Sequence, residues 1–485
     1  MLTRLRVNGF KNLREVDLAF GPFTCIAGGN GVGKSNVFDA ITFLSDLATY
    51  PLVKAATRVR GAEDRIAGIE ALFSRAHAGD GHRMEFVAEM IVPSRVTDDY
   101  DREATAAATF LEYTLELRYD PGRPDAGKEA LYIQREALLA MPSSSAAGKL
   151  PFKPGRAWIK RHLRGPGQRK GAFIDTPAPK GHGEPTIQLH GEGGGGRPAG
   201  VPARQAPQTM LSGVNVSSYP TTLAARREMQ SWRLLQLEPT SLRKADEFRG
   251  EDQLSATGLH LPNTVLRCSS GDEVASRLSE LIPGIRAVEV DRDKGRQVNT
   301  LQVEMKDRQG YAASALSDGT LRFLALAVLA CDPKANGLIC LEEPENGIHP
   351  LRMPQMLNLV RSLADTLDAD VDDADPGVIR QVIINTHSPL VVAELPDDEL
   401  LMAESLGGQG GDWVNFRPLP GTWRAEGRPE TRLVARGELD SYLGAQSLAG
   451  QRQSGNDVHT TCIQRPNAAS SLCCWTPSSR PCSML

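Results

Sequence analysis

Gly28-Gly-Asn-Gly-Val-Gly33-Lys34-Ser35 places glycines, a lysine and a hydroxyl in the spacing G-x-x-x-x-G-K-S. Glycines let a backbone turn so that its N–H groups converge on phosphate oxygens, and a helix N-terminus adds the positive end of its dipole. In such a cradle Lys34 reaches the β- and γ-phosphates of a nucleoside triphosphate, and the Ser35 hydroxyl binds Mg²⁺. Gly28, Asn30, Gly31, Gly33, Lys34, Ser35 and Asn36 are therefore the candidate nucleotide-binding residues. A plain glycine-rich loop would share the composition but would not need to follow a strand and open a helix.

Three further segments end in polar residues. Gly337 to Leu341 is an apolar run closed by Glu342 and Glu343. Side chains alternate along a strand, so two neighbouring carboxylates point to different places. One can serve a Mg²⁺ shell, and the other can polarise an attacking water. Gln381-Val-Ile-Ile-Asn-Thr386 is a second apolar run, and His387 follows it. Such a histidine could hydrogen-bond a γ-phosphate or hold the attacking water. In Leu316-Ser317-Asp318-Gly319-Thr320, Ser317 is a good N-cap for a helix whose face is Leu321, Leu324, Ala325 and Val328. A serine, a glycine and a helix N-terminus make a second anion site. In isolation a capped core helix would read the same way.

The elements that must position these groups are visible in the periodicity. Phe23 to Ala27 is a run of strand formers before the glycines. Val37, Ile41, Leu44 and Ala48 then recur at helix spacing. Leu5–Phe10 and Val16–Phe20 alternate, as do Met84–Val92, Phe110–Tyr119 and Glu129–Leu138, which predicts an antiparallel sheet in the first lobe. Between Pro142 and Pro207 Gly, Pro and Ser dominate, with Thr186–His190 as one strand inside a loop-rich stretch. Helical spacing resumes over Leu223–Leu237 and Val274–Leu281, with strands at Val288–Val290 and Leu301–Met305. Asp365 to Asp375 reads as an acidic, solvated connection.

The four motifs, in this order, resemble the ABC-type ATPase heads of the SMC, RecF and OLD-like group, the AAA-family ATPases of phage-defence and DNA-repair type. The carriers are Asn8-Gly-Phe-Lys-Asn-Leu13, the glycine-rich loop, Leu316-Ser-Asp-Gly-Thr320, Leu341-Glu-Glu-Pro-Glu-Asn-Gly-Ile-His-Pro350 and Asn385-Thr-His-Ser-Pro389. The likeness is close over roughly residues 1–50 and 310–395 and loose between them. It implies an α/β P-loop fold, a mixed sheet with flanking helices plus an antiparallel β lobe. A loop-rich insertion is expected between the glycine-rich loop and the Ser317 signature.

It also implies ATP and Mg²⁺ as ligands, Glu343 as catalytic base and His387 as switch histidine. Ser35 and Glu342 are the implied metal ligands. Ser317 and Gly319 would contact the nucleotide of a second protomer in a homodimer, with Glu345–His349 crossing the interface. Glu342 departs from the group, which ends this strand in Asp. The glutamine expected opposite the phosphates has no clear counterpart, Gln134 being a weak candidate. DNA or an effector protein, a nuclease or a toxin, are the implied partners. The alternatives are the ATPase subunit of an OLD-type nuclease system and, less well matched, of a membrane transporter. After His387 there is no strand-end Glu followed by Asp-x-Asp, so a Toprim nuclease domain is not expected.

Composition sets outer limits. The 485 residues carry 55 Lys plus Arg against 59 Asp plus Glu, a formal charge of −4, and 40% are hydrophobic. That is globular usage, neither a disordered acidic chain nor a basic nucleic-acid coat. The longest apolar run, Phe323–Ala330, is far short of the ~20 residues a membrane span needs. With no apolar leader, a cytoplasmic protein is expected. Cys25, Cys268, Cys331 and Cys340 read as reduced core thiols, and Cys462, Cys473, Cys474 and Cys482 lack the spacing of a zinc site. The expected organisation is an ATPase lobe over 1–138, an insertion over 139–282, a second ATPase lobe over 283–420 and a poorly ordered tail over 421–485. One stretch, Ala137 to Ile174, has no Asp or Glu but contains Lys149, Lys153, Arg156, Lys160, Arg161, Arg164, Arg169 and Lys170. With Phe152 and Trp158 interleaved, it could bind a nucleic-acid backbone and stack on bases, or be a solvated basic loop.

Overall fold

The computed structural model describes residues 1–443 except 61–67, 75–81, 122–129, 143–147, 149, 166–170, 180–182, 194–197, 269–270, 368–378, 409–410, 436 and 440. The four cysteines of the last 24 residues, Lys149, Arg169, Lys170 and most of the acidic connection lie outside the described residues.

The chain builds an α/β P-loop fold around a six-stranded sheet. Its strand order is Arg233–Leu235, Leu338–Glu342, Gln381–Thr386, Phe23–Gly28, Leu400–Gly408 and Gly411–Pro418. The first five run parallel and the last is antiparallel. The Phe23–Gly28 and Gln381–Thr386 strands are buried along their whole length. Parallel strands covered on both faces read as continuous apolar runs, as these two do. Their register aligns Ala27 with Thr386 and Glu342 with Asn385. All three polar termini therefore emerge together at the C-terminal end of the parallel strands.

The alternating segments of the first lobe pair as expected. They form an eight-stranded antiparallel sheet running from Ala199–Pro202 through Ala130–Ala140, Phe110–Asp120, Arg83–Ile91 and Leu2–Asn8 to Val16–Ala19. The Lys34–Leu47 helix buries Val37, Phe38, Ile41 and Leu44 between the two sheets. Phe10, Phe43 and Phe86 meet there, with ring centroids 5.5–5.8 Å apart. The opposite face of the parallel sheet carries a second core, centred on Leu321, Leu324, Val328, Leu357 and Val360 from the Asp318–Cys331 and Met353–Arg361 helices. A smaller four-stranded sheet holds Ile285–Asp293 and Val298–Met305.

Three expectations change. The helical spacing at Leu223–Leu237 covers a helix only over Pro220–Gln230; a turn at Ser231 then leads into the Arg233–Leu235 strand beside Leu338–Glu342. Phe152 and Trp158 do not present rings to solvent. They are 2% and 5% exposed and pack edge to face at 5.8 Å, with Trp423 on the other side of Phe152. In the segment read as a tail, Arg424 is 4% exposed and donates from Nε to the Ala19 carbonyl and from an Nη to the Thr24 hydroxyl. It ties this segment to the foot of the Phe23–Gly28 strand. Among the described residues no helix is long and apolar enough to cross a membrane.

Candidate nucleotide site

The glycine-rich loop leaves the Phe23–Gly28 strand at the centre of the parallel sheet, and Lys34 is the first residue of the helix that follows. Gly29, Asn30 and Gly31 are exposed, and no side chain caps the first turn. The orphan N–H groups of that turn thus remain available to an anion. Gly33 is required on two counts. Its φ is +106°, and a Cβ there would stand 2.3 Å from the Asn12 amide. Asn12 also donates to the Val32 carbonyl at 3.2 Å and accepts from the Asn36 amide at 2.7 Å. The Asn8–Leu13 motif therefore buttresses the loop from outside, and the Asn36 side chain belongs to that buttress.

Lys34 folds back onto the loop, donating from Nζ to the carbonyls of Gly28 at 2.9 Å and Gly29 at 2.7 Å. Burial pushes its pKa down, against the pull of Glu343, Glu345 and Glu342. A polyanion entering the loop would offer this ammonium better partners than two neutral carbonyls.

Ser35, Glu342, Glu343 and Asn385 line one cavity of about 310 Å³, together with Gln236 and Arg322. The Asn385 side-chain nitrogen lies 3.4 Å from the Ser35 hydroxyl, and its side-chain oxygen accepts from the Glu343 backbone N–H at 3.0 Å. That bond holds Glu343 where the strand ends, at φ +43°, a left-handed conformation rare outside glycine. The turn separates the two carboxylates as side-chain alternation requires. Glu343 points to His387, Nδ1 to Oε1 2.8 Å, and accepts from the Asn346 amide at 2.7 Å. Partial burial alone would raise its pKa, but these two bonds and the nearby Lys34 hold it below the ordinary carboxylate range. Glu343 is thus ionised at neutral pH and lines the cavity beside Ser35.

Glu342 turns the other way. Both of its oxygens accept from the Arg60 guanidinium at 3.0 Å, and the Gln236 amide donates to one of them. Ser35 and Glu342 are hard oxygen donors that suit Mg²⁺, which takes one or two protein ligands and completes its shell with phosphate oxygens and water. Among the described residues no three His, Cys, Asp or Glu side chains converge to hold a metal by themselves.

Ser317 and Gly319 stand elsewhere. Ser317 caps the Asp318–Cys331 helix, accepting from the Thr320 N–H at 3.2 Å. Both residues line a separate cavity of about 500 Å³ with Gly347, His349 and Leu351. A Cβ on Gly319 would meet the Gly347 carbonyl at 2.9 Å, so the signature turn and the Glu345–His349 segment are packed backbone to backbone. Leu351 beside them is 81% exposed. Glu345 is buried, and one of its oxygens accepts from the Thr386 hydroxyl.

The structure thus brings the glycine-rich loop, Glu342, Glu343 and His387 together, and leaves Ser317 and Gly319 at a second cavity. It also supplies residues that the sequence reading lacked. Gln236 lines the Ser35 cavity and bonds to Glu342, whereas Gln134 lies in a bulge of the eight-stranded sheet, away from this cavity. Arg60 follows the Leu52–Arg58 helix, outside every motif. Arg322 projects from the signature helix into the Ser35 cavity, and its pKa is lowered by burial.

A family model described as "AAA domain, putative AbiEii toxin, Type IV TA system" matches residues 241–393, and one described as "AAA domain" matches residues 4–55. The protein "DNA replication and repair protein RecF" of Erwinia tasmaniensis is 30% identical over 118 residues, which are 20% of this chain and 33% of that protein. The protein of the same description from Porphyromonas gingivalis is 34% identical over 82 residues, 17% of this chain and 22% of that one. The chain therefore matches about a third or less of these relatives' length. Among solved structures, the SMC head bound to the C-winged helix domain of ScpA is 14% identical, with a TM-score of 0.45 over 86% of this chain and 98% of that one. The SMC head domain from Thermotoga maritima is 12% identical, with a TM-score of 0.36 over 86% and 98%. The glycine-rich loop, signature helix, two-glutamate strand and histidine strand are set around one parallel sheet, and AAA-domain matches fall at both ends of that arrangement, so the chain is similar to the ABC-type ATPase heads of the SMC/RecF-like group.

Proposed function

We propose that the chain binds ATP with Mg²⁺ and hydrolyses it in a homodimer whose two heads enclose the nucleotides, closing on ATP and opening after turnover. One observation carries this reading. The cavity beside Ser35, Glu342 and Glu343 shares no lining residue with the cavity beside Ser317 and Gly319. In this reading the two anion-binding elements of one chain are halves of different sites. A second copy related by a two-fold axis would set its Ser317 helix N-terminus over the phosphates held by the first copy's loop.

Within each site the chain's own groups divide the work. The Gly28–Ser35 backbone and Lys34 bind the phosphates. Glu343 accepts the proton of the attacking water, and His387, bonded to it at 2.8 Å, keeps that carboxylate aimed. Mg²⁺, when bound through Ser35 and Glu342, would screen the phosphate charge. Gln236 stands across the cavity, where it can orient water or feel the state of the metal site.

The RecF relatives are DNA replication and repair proteins, which favours coupling of this cycle to DNA in the cytoplasm. A second reading, in which the heads drive a nuclease or toxin effector in anti-phage defence as in OLD-type systems, draws on the toxin named in the matched AAA description. The test is sizing by light scattering of Glu343→Gln with ATP and Mg²⁺, beside the wild type's turnover at several protein concentrations. A dimer in the variant and specific activity that rises with concentration are expected. A monomer that hydrolyses ATP at a concentration-independent rate overturns the shared site. Duplex DNA that leaves turnover unchanged shifts weight to the effector reading.

A further inference from the structure

Glu342 already holds a cation. The Arg60 guanidinium lies against its carboxylate as a fork, Nη1 to one oxygen and Nη2 to the other, both at 3.0 Å. The same guanidinium donates from Nε to Asp39 at 2.7 Å and from Nη2 to the Ser35 carbonyl at 3.2 Å. Asp39 is buried one turn along the helix from Ser35, and its second oxygen accepts from Lys11 at 2.7 Å. Lys11 also donates to the Arg60 carbonyl at 2.8 Å. Arg60 is therefore fixed at its backbone and at its side chain. Two basic groups and two carboxylates balance one another without a metal.

We propose that Arg60 is a positioning residue that stands in for the metal at Glu342, so that Mg²⁺ reaches this carboxylate only by displacing the guanidinium. The inference rests on the ATP and Mg²⁺ reading of the site. Mg²⁺ needs oxygen lone pairs in near-octahedral geometry and gives up its waters reluctantly. A carboxylate whose two oxygens face a planar N–H fork, with the Gln236 amide on one of them, leaves a single lone pair uncommitted, beside a guanidinium that repels an incoming dication. Bidentate arginine–carboxylate pairs are the stronger kind of ion pair, and this one is shielded on its carboxylate side, the Glu342 side chain being 15% exposed and that of Arg60 38%. The release is local, because Asp39 retains Arg60 after Glu342 turns to the metal. Loading of the metal is thereby coupled to the Asn8–Leu13 motif through Lys11 and to the glycine-rich loop through the Ser35 carbonyl. The extra methylene of Glu342, relative to the aspartate of the group it resembles, extends the carboxylate from the strand end toward this fork.

The test is the Mg²⁺ dependence of nucleotide binding, read by fluorescence of a mant-labelled, non-hydrolysable ATP analogue, in the wild type, Arg60→Ala and Arg60→Lys. Removing the fork should lower the Mg²⁺ concentration at half-effect by about tenfold, the scale of one charge-assisted bidentate pair. Lysine keeps the charge but cannot make the fork, so Arg60→Lys should fall between, and it decides the matter if the alanine variant does not fold. An unchanged or higher Mg²⁺ midpoint in the variants overturns the proposal. So does a loss of metal-free nucleotide affinity with no movement of the midpoint, which would make Arg60 a phosphate ligand instead. Wild-type protein that binds no nucleotide at any Mg²⁺ concentration overturns the site reading itself, and the stand-in role with it.

Discussion

Glu343 and His387 come from neighbouring parallel strands and meet through one hydrogen bond, Nδ1 to Oε1 at 2.8 Å. The register that pairs Glu342 with Asn385 sets this distance, because Glu343 and His387 lie one and two residues beyond that pair, each the first residue past its strand. The bond is possible only because Glu343 leaves the strand at φ +43°. An extended backbone there would carry its side chain away from the histidine strand. A base and the group that aims it are thus fixed by sheet register rather than by a loop.

From this pairing, Glu343→Gln and His387→Ala should each lower ATP turnover by roughly 100- to 10,000-fold, the range of a positioned general base. Because the two act as a unit, the double variant should be little worse than the slower single one. Rates from a phosphate-release assay check this. Losses that multiply in the double variant would mean that His387 works on the phosphate independently of Glu343.

A second expectation concerns Gly33 and Asn12. Gly33→Ala forces a side chain into φ +106° and onto the Asn12 amide, and backbone strain of this kind costs about 1–3 kcal/mol. Adding Asn12→Ala removes the clash but not the strain. The double variant should therefore recover part of the thermal stability lost in Gly33→Ala, a coupling expected of residues in contact. Melting temperatures of the four proteins measure it, and strict additivity would deny that Asn12 bears on the loop.

Stability should also report a buried carboxyl far from the nucleotide site. Burial pushes Glu136 up to about 7, although the N–H groups of Leu211 and Met210 and the Tyr113 hydroxyl all bond to it. With the folded pKa above the unfolded one, the native state binds the proton more tightly. This contribution is full below about pH 4.5 and is lost as pH rises through 7, about 3 kcal/mol in all. Urea unfolding at pH 5 and pH 8 should show the wild type losing stability at the higher pH. Glu136→Gln should show a smaller loss, whatever constant cost the amide adds at both pH values. Equal pH dependence in the two proteins would place the titration elsewhere.

The sequence exposed what is written in contiguous runs. The glycine-rich loop, the Glu342–Glu343 pair and the Asn385–Ser388 segment each announce their chemistry, and continuous apolar runs announce the parallel strands that carry them. What it concealed is carried by tertiary contacts. Gln236 follows a strand of three residues, Arg233–Leu235, too short to interrupt the helical spacing that precedes it. Arg60 lies in no motif, and nothing local distinguishes it from a solvated arginine until its fork on Glu342 is seen. Phe152 and Trp158 show the converse. Their spacing among basic residues suggested exposed rings, but a hydrophobic surface formed by Met1, Ile91, Phe110 and Ile379 buries them, and composition carries no information about that partner.

The basic stretch remains a candidate DNA surface on changed terms. Arg156, Lys160 and Arg164 are exposed on and just after the Arg156–His162 helix. Lys153 is already paired with Glu426 at 2.6 Å. His162 adds no charge, since burial and the neighbouring Arg161 push it down to about 4. With the rings buried, stacking on bases drops out and only phosphate contacts remain. Such contacts are sequence-independent, and each contributes about −0.9 to the slope of log affinity against log salt concentration on duplex DNA. Changing Arg156, Lys160 and Arg164 together to Ala should therefore weaken binding to any duplex alike and flatten that slope by about 2 to 3. Trp158→Ala should lower the melting temperature instead, because it removes the ring that supports the helix from beneath. Fluorescence anisotropy at several salt concentrations separates these outcomes. An unchanged slope in the triple variant would remove DNA from this face and leave it to an acidic protein partner.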